Sequence, residues 1–218
     1  MSTLFRLDAS IRTEGSVTRA VADTIQAEVL ERLGRADVTH RDVGLAPIDA
    51  AAWATAASAG YTPADQRTPA QAAALRLSEQ LAGEIVDADV LLFAVPMYNF
   101  GVSQHFKAWV DQVIADPRLG PGSTTPAGRP AFLVTARGGG YGAGTPREGW
   151  DHATGWMRRI LADVWQLDLD VVETELTLAE VTPQMESLRE LARAQLAESH
   201  ETARSVARAV TLKLAPVA

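Results

Sequence analysis

Short apolar runs alternate along the chain with longer stretches in which apolar residues recur every three or four positions. Residues 3–7 form a compact run that ends at Asp8-Ala9-Ser10, and this predicts a first strand. Val21, Ile25, Val29 and Leu33 then recur every four residues, which marks one face of a helix over residues 16–33. Ser16 or Gly15 is placed to cap its start and Gly34 to end it. Residues 36–43 predict a second strand that carries more charge, and residues 44–68, alanine-rich and interrupted by proline, read as a surface excursion. Pro69 suits the first turn of a helix that runs to Val86. Residues 89–95 predict a third strand, and after Asp89 the run is continuously apolar, as expected of a central parallel strand covered on both faces. Residues 103–114 predict a helix with Phe106, Trp109, Val110 and Val113 on its inner face, followed by a Gly/Pro-rich loop over 117–130. A strand at 131–135, a glycine cluster at 138–142, a helical stretch at 150–165, a fifth strand at 167–174 and a long helix at 183–212 complete the pattern.

Five strands alternating with helices predict an α/β fold: a parallel sheet with helices on both faces, built from right-handed crossovers. The length of 218 residues fits a single domain over 1–218. Apolar residues make up 47% and charged residues 22%, which excludes intrinsic disorder. A net charge of −7 argues against a nucleic-acid partner. Absence of cysteine excludes a disulfide framework, a thiolate metal site and a cysteine nucleophile. The histidines, His40, His105, His152 and His200, are not paired at ligand spacing, so no metal is expected. The opening MSTLFRLD is too short for a signal-peptide core. No apolar run approaches the ~20 residues of a spanning helix. A cytoplasmic protein with no membrane partner is therefore expected.

In such sheets ligands gather where the strands end, near the point at which strand order reverses. The segment from Asp8 to Thr18 carries the hydroxyls of Ser10, Ser16 and Thr18 into a helix N-terminus. Amides there make an anion site that suits a phosphate monoester; a plain cap with polar neighbours accounts for the same residues. After the third strand come Pro96-Met97-Tyr98-Asn99-Phe100-Gly101-Val102. A flat aromatic ligand packs well against such a loop, and so does the core beneath it. After the fourth come Ala136-Arg137-Gly138-Gly139-Gly140, where glycine lets a backbone approach a ligand closely. Gly138-x-Gly140-x-x-Ala143 spells a dinucleotide fingerprint, but Thr145-Pro146-Arg147 follows where that motif requires a helix.

Together, Ser10, Ser16-Val17-Thr18, Pro96-Met97-Tyr98-Asn99-Phe100 and Thr135-Ala136-Arg137-Gly138-Gly139 resemble the FMN-binding segments of the FMN-dependent NAD(P)H azoreductase and quinone oxidoreductase family. The similarity spans about residues 4–210, and Pro-Met-Tyr-Asn-Phe is its most distinctive part. The resemblance implies a flavodoxin-like three-layer fold with a five-stranded parallel sheet. It implies that Ser10, Ser16, Val17 and Thr18 hold the FMN phosphate. Pro96, Met97, Tyr98, Asn99 and Phe100, with Ala136, Arg137, Gly138 and Gly139, would border the isoalloxazine ring. By the same resemblance, hydride passes from NADH or NADPH through FMN to quinones or azo aromatics in a ping-pong cycle. A homodimer with its active sites at the interface is also implied.

Such chemistry needs no fixed nucleophile. His152 is a candidate proton donor over the flavin, and Tyr98 a candidate to line the ring or donate a hydrogen bond. Trp109 sits at core spacing, whereas Trp150 and Trp156 are candidate pocket walls. The chain departs from the family pattern at three places. Ala136 stands where a serine is usual, the stretch between Asp111 and Gly128 is shorter and lacks an aromatic hairpin, and Ala162-Asp163-Val164-Trp165 replaces a glycine-bearing turn. These changes suggest that the substrate walls are rebuilt around a retained cofactor site. A flavodoxin-like electron carrier is the main alternative, and a specialised FMN-dependent reductase of an aromatic biosynthetic intermediate is another. The excursion at 44–68 and the loop at 141–149 suit covering a substrate better than docking a redox protein. A hydrolase is disfavoured, since the chain has no G-x-S-x-G elbow.

Overall fold

A computed structural model gives the fold of residues 2–34 and 36–214; Met1, Arg35 and residues 215–218 of the expected 1–218 unit lie outside the described residues. The chain begins with β1 (Ser2–Asp8), α1 (Val17–Leu33), β2 (Ala36–Asp42), α2 (Ala50–Ala59), α3 (Pro69–Val86) and β3 (Val90–Ala94). A short hairpin, β4 (Met97–Tyr98) and β5 (Gly101–Val102), leads into α4 (Gln104–Ile114) and β6 (Pro130–Ala136). Then follow α5 (Thr154–Arg158), β7 (Asp168–Thr174) and α6 (Arg189–Leu214). Five strands form one sheet in the order β2-β1-β3-β6-β7, all parallel. This is the flavodoxin-like order, and it reverses between β1 and β3. Asp8 pairs with Asp42 on one side and Ala94 on the other, so the loops after β1, β2 and β3 leave the sheet at one rim.

Alternation along the strands divides the core between two faces. Phe5, Leu7, Leu91, Phe93 and Leu133 pack beneath α3, α4 and α5 with Phe106, Trp109 and Met157. Leu4, Leu92, Phe132 and Val134 face the other way, onto Val21, Ile25 and Val29 of α1 and Ala203, Ala207 and Val210 of α6. Phe5 and Trp109 stack at 6.0 Å, and Trp165 meets Trp109 edge-on at the same distance. The helical faces expected from sequence are thus the buried ones.

Three expectations about elements need correction. The long helix expected from residue 183 opens as a 3-10 turn over Pro183–Leu188 and becomes α6 only at Arg189. Residues 50–59, read as part of a surface excursion, form α2. Prolines 47 and 63 flank this alanine-rich stretch and do not interrupt it, and the Asp49 carboxylate caps it by accepting from Ala51 N at 2.9 Å. The helix expected from residue 150 begins instead at Thr154. Asp151 Oδ1 accepts from the amides of Ala153 and Thr154, both at 2.8 Å, so the preceding residues are held as loop. The helix then widens into a π-helical turn over Arg159–Val164. Among the described residues no helix is long and apolar enough to cross a membrane.

Candidate functional site

The carboxyl end of β1 is buried and charged. Arg6 is drawn into this strand because Asp8, two residues on, lies on the same face and accepts from its Nε at 3.1 Å. Asp8 is 1% exposed, and its Oδ2 also lies 3.3 Å from Arg19 Nη1 and 2.7 Å from His40 Nε2. Burial pushes the Asp8 carboxyl up, but the His40 hydrogen bond and the Arg6 and Arg19 guanidiniums outweigh it and hold the pKa below the usual range. Asp8, His40 and Asp42 bring potential metal-ligand atoms within 4.8 Å of one another. Their oxygens are committed to arginine, so the group is an ion-pair network. Arg19 is its outlet toward the surface: Nη2 donates to Ser10 O at 2.8 Å, Nε to Arg12 O at 3.0 Å and Nη1 to Asp42 at 2.7 Å. Gly44 closes the loop from below. A Cβ there would lie 2.1 Å from Ser10 O, so only glycine allows the chain after β2 to run so close.

Above this base the loop turns into α1. Ser16 is the N-cap, and its Oγ accepts from Arg19 N at 3.5 Å and lies 3.3 Å from Thr18 Oγ1. Both contacts are long, which leaves these hydroxyls available beside the first amides of a 17-residue helix. Tyr98 links this loop to the next: its phenol oxygen accepts from Ile11 N at 3.1 Å and lies 3.4 Å from Ser10 Oγ.

Tyr98 belongs to the β4–β5 hairpin, whose two turn residues, Asn99 and Phe100, have φ of 48° and 66°. With both values positive the turn is of the type I′ kind, which favours Asn at the first position and glycine at the second. Phe100 therefore occupies a strained conformation that the sequence preference opposes. Its ring lies at the surface, 40% exposed. Trp150 meets that ring edge-on at 5.6 Å and Tyr141 flanks it at 6.4 Å. His152 N donates to Phe100 O at 3.0 Å, so the loop after β6 grips the hairpin tip.

The third segment is fastened differently. Arg137 is 8% exposed and its guanidinium points behind the loop, with Nη1 at 2.7 Å from Asp151 and Nη2 at 2.6 Å from Glu173. Burial lowers its pKa, but Glu173, Asp151 and Glu175 together raise it above the ordinary value. The Gly138 carbonyl accepts from Leu178 N at 3.2 Å, and the Arg137 carbonyl from Thr177 N at 3.1 Å. A side chain on Gly138 would run into Leu178 Cδ1 at 2.6 Å.

These elements enclose a cleft of about 300 Å³, at the small end of the usual ligand-pocket range of ~300–1,000 Å³. Ser10, Ser16, Val17, Thr18, Pro96, Met97, Tyr98, Asn99, Phe100, Ala136 and Gly138 all line it, so most of the expected residues converge. Among the described lining residues no carboxylate is found, although two arginines, Arg12 and Arg147, are present. Gly139 and the Arg137 side chain stand behind this wall. His152 is exposed, and its side chain is not part of the lining. Trp156 packs edge-on against Phe106 at 6.2 Å, and Trp150 reaches the cleft only through Phe100. Trp165, expected in a rebuilt substrate wall, is 1% exposed and donates from Nε1 to Leu119 O at 3.0 Å; it belongs to the core. Thr177 and Leu178 line the cleft without having been expected. They follow β7, and the rule about strand ends applies to that strand as well.

Comparison with known proteins bears on the fold and the family. A family model described as flavodoxin-like fold matches residues 2–199. An FMN-dependent NADH:quinone oxidoreductase of Frankia casuarinae is 37% identical over 207 residues, covering 94% of this chain and 98% of that protein. Another of the same description, from Frankia alni, is 40% identical over 186 residues, covering 84% and 88%. Among solved structures, an azoreductase from Bacillus anthracis superposes with a TM-score of 0.75 at 18% identity, covering 95% of this chain and 99% of that one. At that identity the likeness concerns the fold.

Proposed function

The chain belongs to the flavodoxin-like fold family that includes these NADH:quinone oxidoreductases, and from that membership we propose that it is an FMN-dependent NAD(P)H:quinone oxidoreductase, with azo aromatics as further acceptors. When bound, FMN supplies two-electron exchange between a reduced nicotinamide and the acceptor. The observation that carries this reading is the make-up of the cleft. In a protein of net charge −7, it joins a hydroxyl-lined helix N-terminus to an aromatic hairpin, with no carboxylate among the described lining residues. That donor set suits a molecule with a phosphate at one end and a flat ring at the other.

The phosphate is held by the hydroxyls of Ser10, Ser16 and Thr18 and by the first amides of α1, including that of Val17. Arg19 fixes the loop through the carbonyls of Ser10 and Arg12 and offsets the buried Asp8 beneath it. Pro96, Met97, Tyr98, Asn99, Phe100, Ala136 and Gly138 form the ring wall, with the Arg137 and Gly139 backbone behind it. Tyr98 orients the two loops relative to one another. His152 serves through its backbone grip on Phe100, and its exposed imidazole remains available as a proton donor at the rim. The chain works as one domain and as a homodimer in the cytoplasm. Support for dimerisation comes from the apolar surface beside the cleft, where Ile11 is 57% and Trp150 51% exposed.

Steady oxidation of NADH by the FMN-loaded protein with a quinone in catalytic excess tests this function. Sustained turnover is expected. Tight FMN binding without turnover of either NADH or NADPH would instead support an electron carrier.

A further inference from the structure

Arg147 is the one charged side chain at the hairpin end of the cleft, among the described lining residues. Its guanidinium carbon lies 6.0 Å from the centre of the Phe100 ring and 5.9 Å from that of Tyr141. Behind it is Gly139, where an added Cβ would come within 2.6 Å of Nη1. Two aromatic faces and a missing side chain thus define where this guanidinium sits. The neighbouring carboxylates are occupied elsewhere: Glu148 accepts from Gly144 N at 2.8 Å, and Glu175 accepts from Tyr141 N at 2.9 Å while facing Arg137. Among the described residues no carboxylate pairs with Arg147. A positioned guanidinium with free N–H groups beside an aromatic stacking surface is a receptor for an aromatic anion.

We propose that Arg147 selects a negatively charged group on the molecule that enters the cleft at its hairpin end, beside the ring wall that Phe100 completes. The group is a carboxylate or sulfonate on the acceptor, or a phosphate of the reduced dinucleotide. This proposal rests on the oxidoreductase reading above and adds a ligand class to it. The two sources share one chemistry, an oxyanion taken by the guanidinium fork.

The test compares the FMN-loaded wild type with Arg147→Gln in two quotients. The first is kcat/KM for 1,4-naphthoquinone-2-sulfonate over kcat/KM for 1,4-naphthoquinone. The second is kcat/KM for NADH over that for the uncharged donor 1-benzyl-1,4-dihydronicotinamide. A general effect of the substitution on folding or flavin content cancels in each. An exposed charge pair is worth up to about 1 kcal/mol, so a fall of up to about fivefold is expected. A fall in the first quotient places the anion on the acceptor, and a fall in the second places it on the dinucleotide. Quenching of tryptophan fluorescence by the two quinones gives the acceptor quotient as a binding ratio, without turnover. If the wild type turns over no quinone, the oxidoreductase reading fails, and this binding ratio still decides whether Arg147 recognises the charge on the quinone. Quotients that are the same in wild type and variant overturn the proposal.

Discussion

At the scale of single residues, Arg19 does most to shape the cleft without lining it. It spans Asp8, Asp42 and two loop carbonyls, so its loss frees the loop and leaves Asp8 with less compensating charge. Arg19→Gln is expected to weaken FMN binding about tenfold. Riboflavin, which lacks the phosphate, should be affected less, and fluorescence titration of both flavins measures the difference. Equal losses for the two flavins would contradict a role in the phosphate cradle. Trp165 makes the opposite prediction. Trp165→Phe removes its hydrogen bond to Leu119 O and leaves a buried carbonyl unpaired, at a cost of about 1–3 kcal/mol. Thermal unfolding should show that loss, while the ratio of quinone to azo turnover stays as in the wild type. Ser10 and the Pro96–Phe100 string were legible in sequence because they follow recognisable strands, and Ser16 because it opens a recognisable helix. Arg19 was not, since an arginine in the first turns of a helix reads as solvated surface until the partners of its guanidinium are known.

Among the elements, α1 matters most, because its N-terminus supplies the amides of the cradle. Its far end is tied to α6 by Glu28, whose carboxylate accepts from Arg208 Nε at 2.9 Å and from Arg32 Nε at 2.9 Å. These arginines, Arg208 first, hold the Glu28 pKa at about 2, below its ordinary 4.5. A depressed carboxyl pKa means that the contribution is complete above about pH 4.5 and is lost as pH falls toward about 2. Glu28→Gln should therefore lower Tm at neutral pH and flatten the acid limb of the Tm profile across that window. Parallel acid limbs for both proteins would contradict the tie. Periodicity and apolar runs revealed α1, α4, β1, β3, β6 and β7 because each has buried positions. By contrast β2, exposed or half-buried throughout, showed only a weak signal, and α3 was marked by its N-terminal proline. Periodicity missed α2, whose alanines give little contrast between faces, and it started α5 too early because the Asp151 cap is a local side-chain device.

For the whole molecule, the sheet order brings the β1, β3 and β6 loops to one rim, and the cleft follows from that topology. Alternating strands and helices made the fold legible, whereas the turning of Arg137 to the rear depends on Glu173 and Asp151, distant in sequence. The exposed apolar residues beside the cleft, Ile11 and Trp150, predict a dimer at micromolar concentration in sedimentation experiments; a monomer throughout would contradict that reading. All of this depends on the cleft being a flavin site, and an absorbance spectrum tests that directly. The purified protein is mixed with FMN, desalted and scanned anaerobically before and after NADH, then again after a quinone is added. Flavin bands that survive desalting, bleach with NADH and return with the quinone are the predicted result. Protein that emerges at micromolar concentration without flavin would contradict the account.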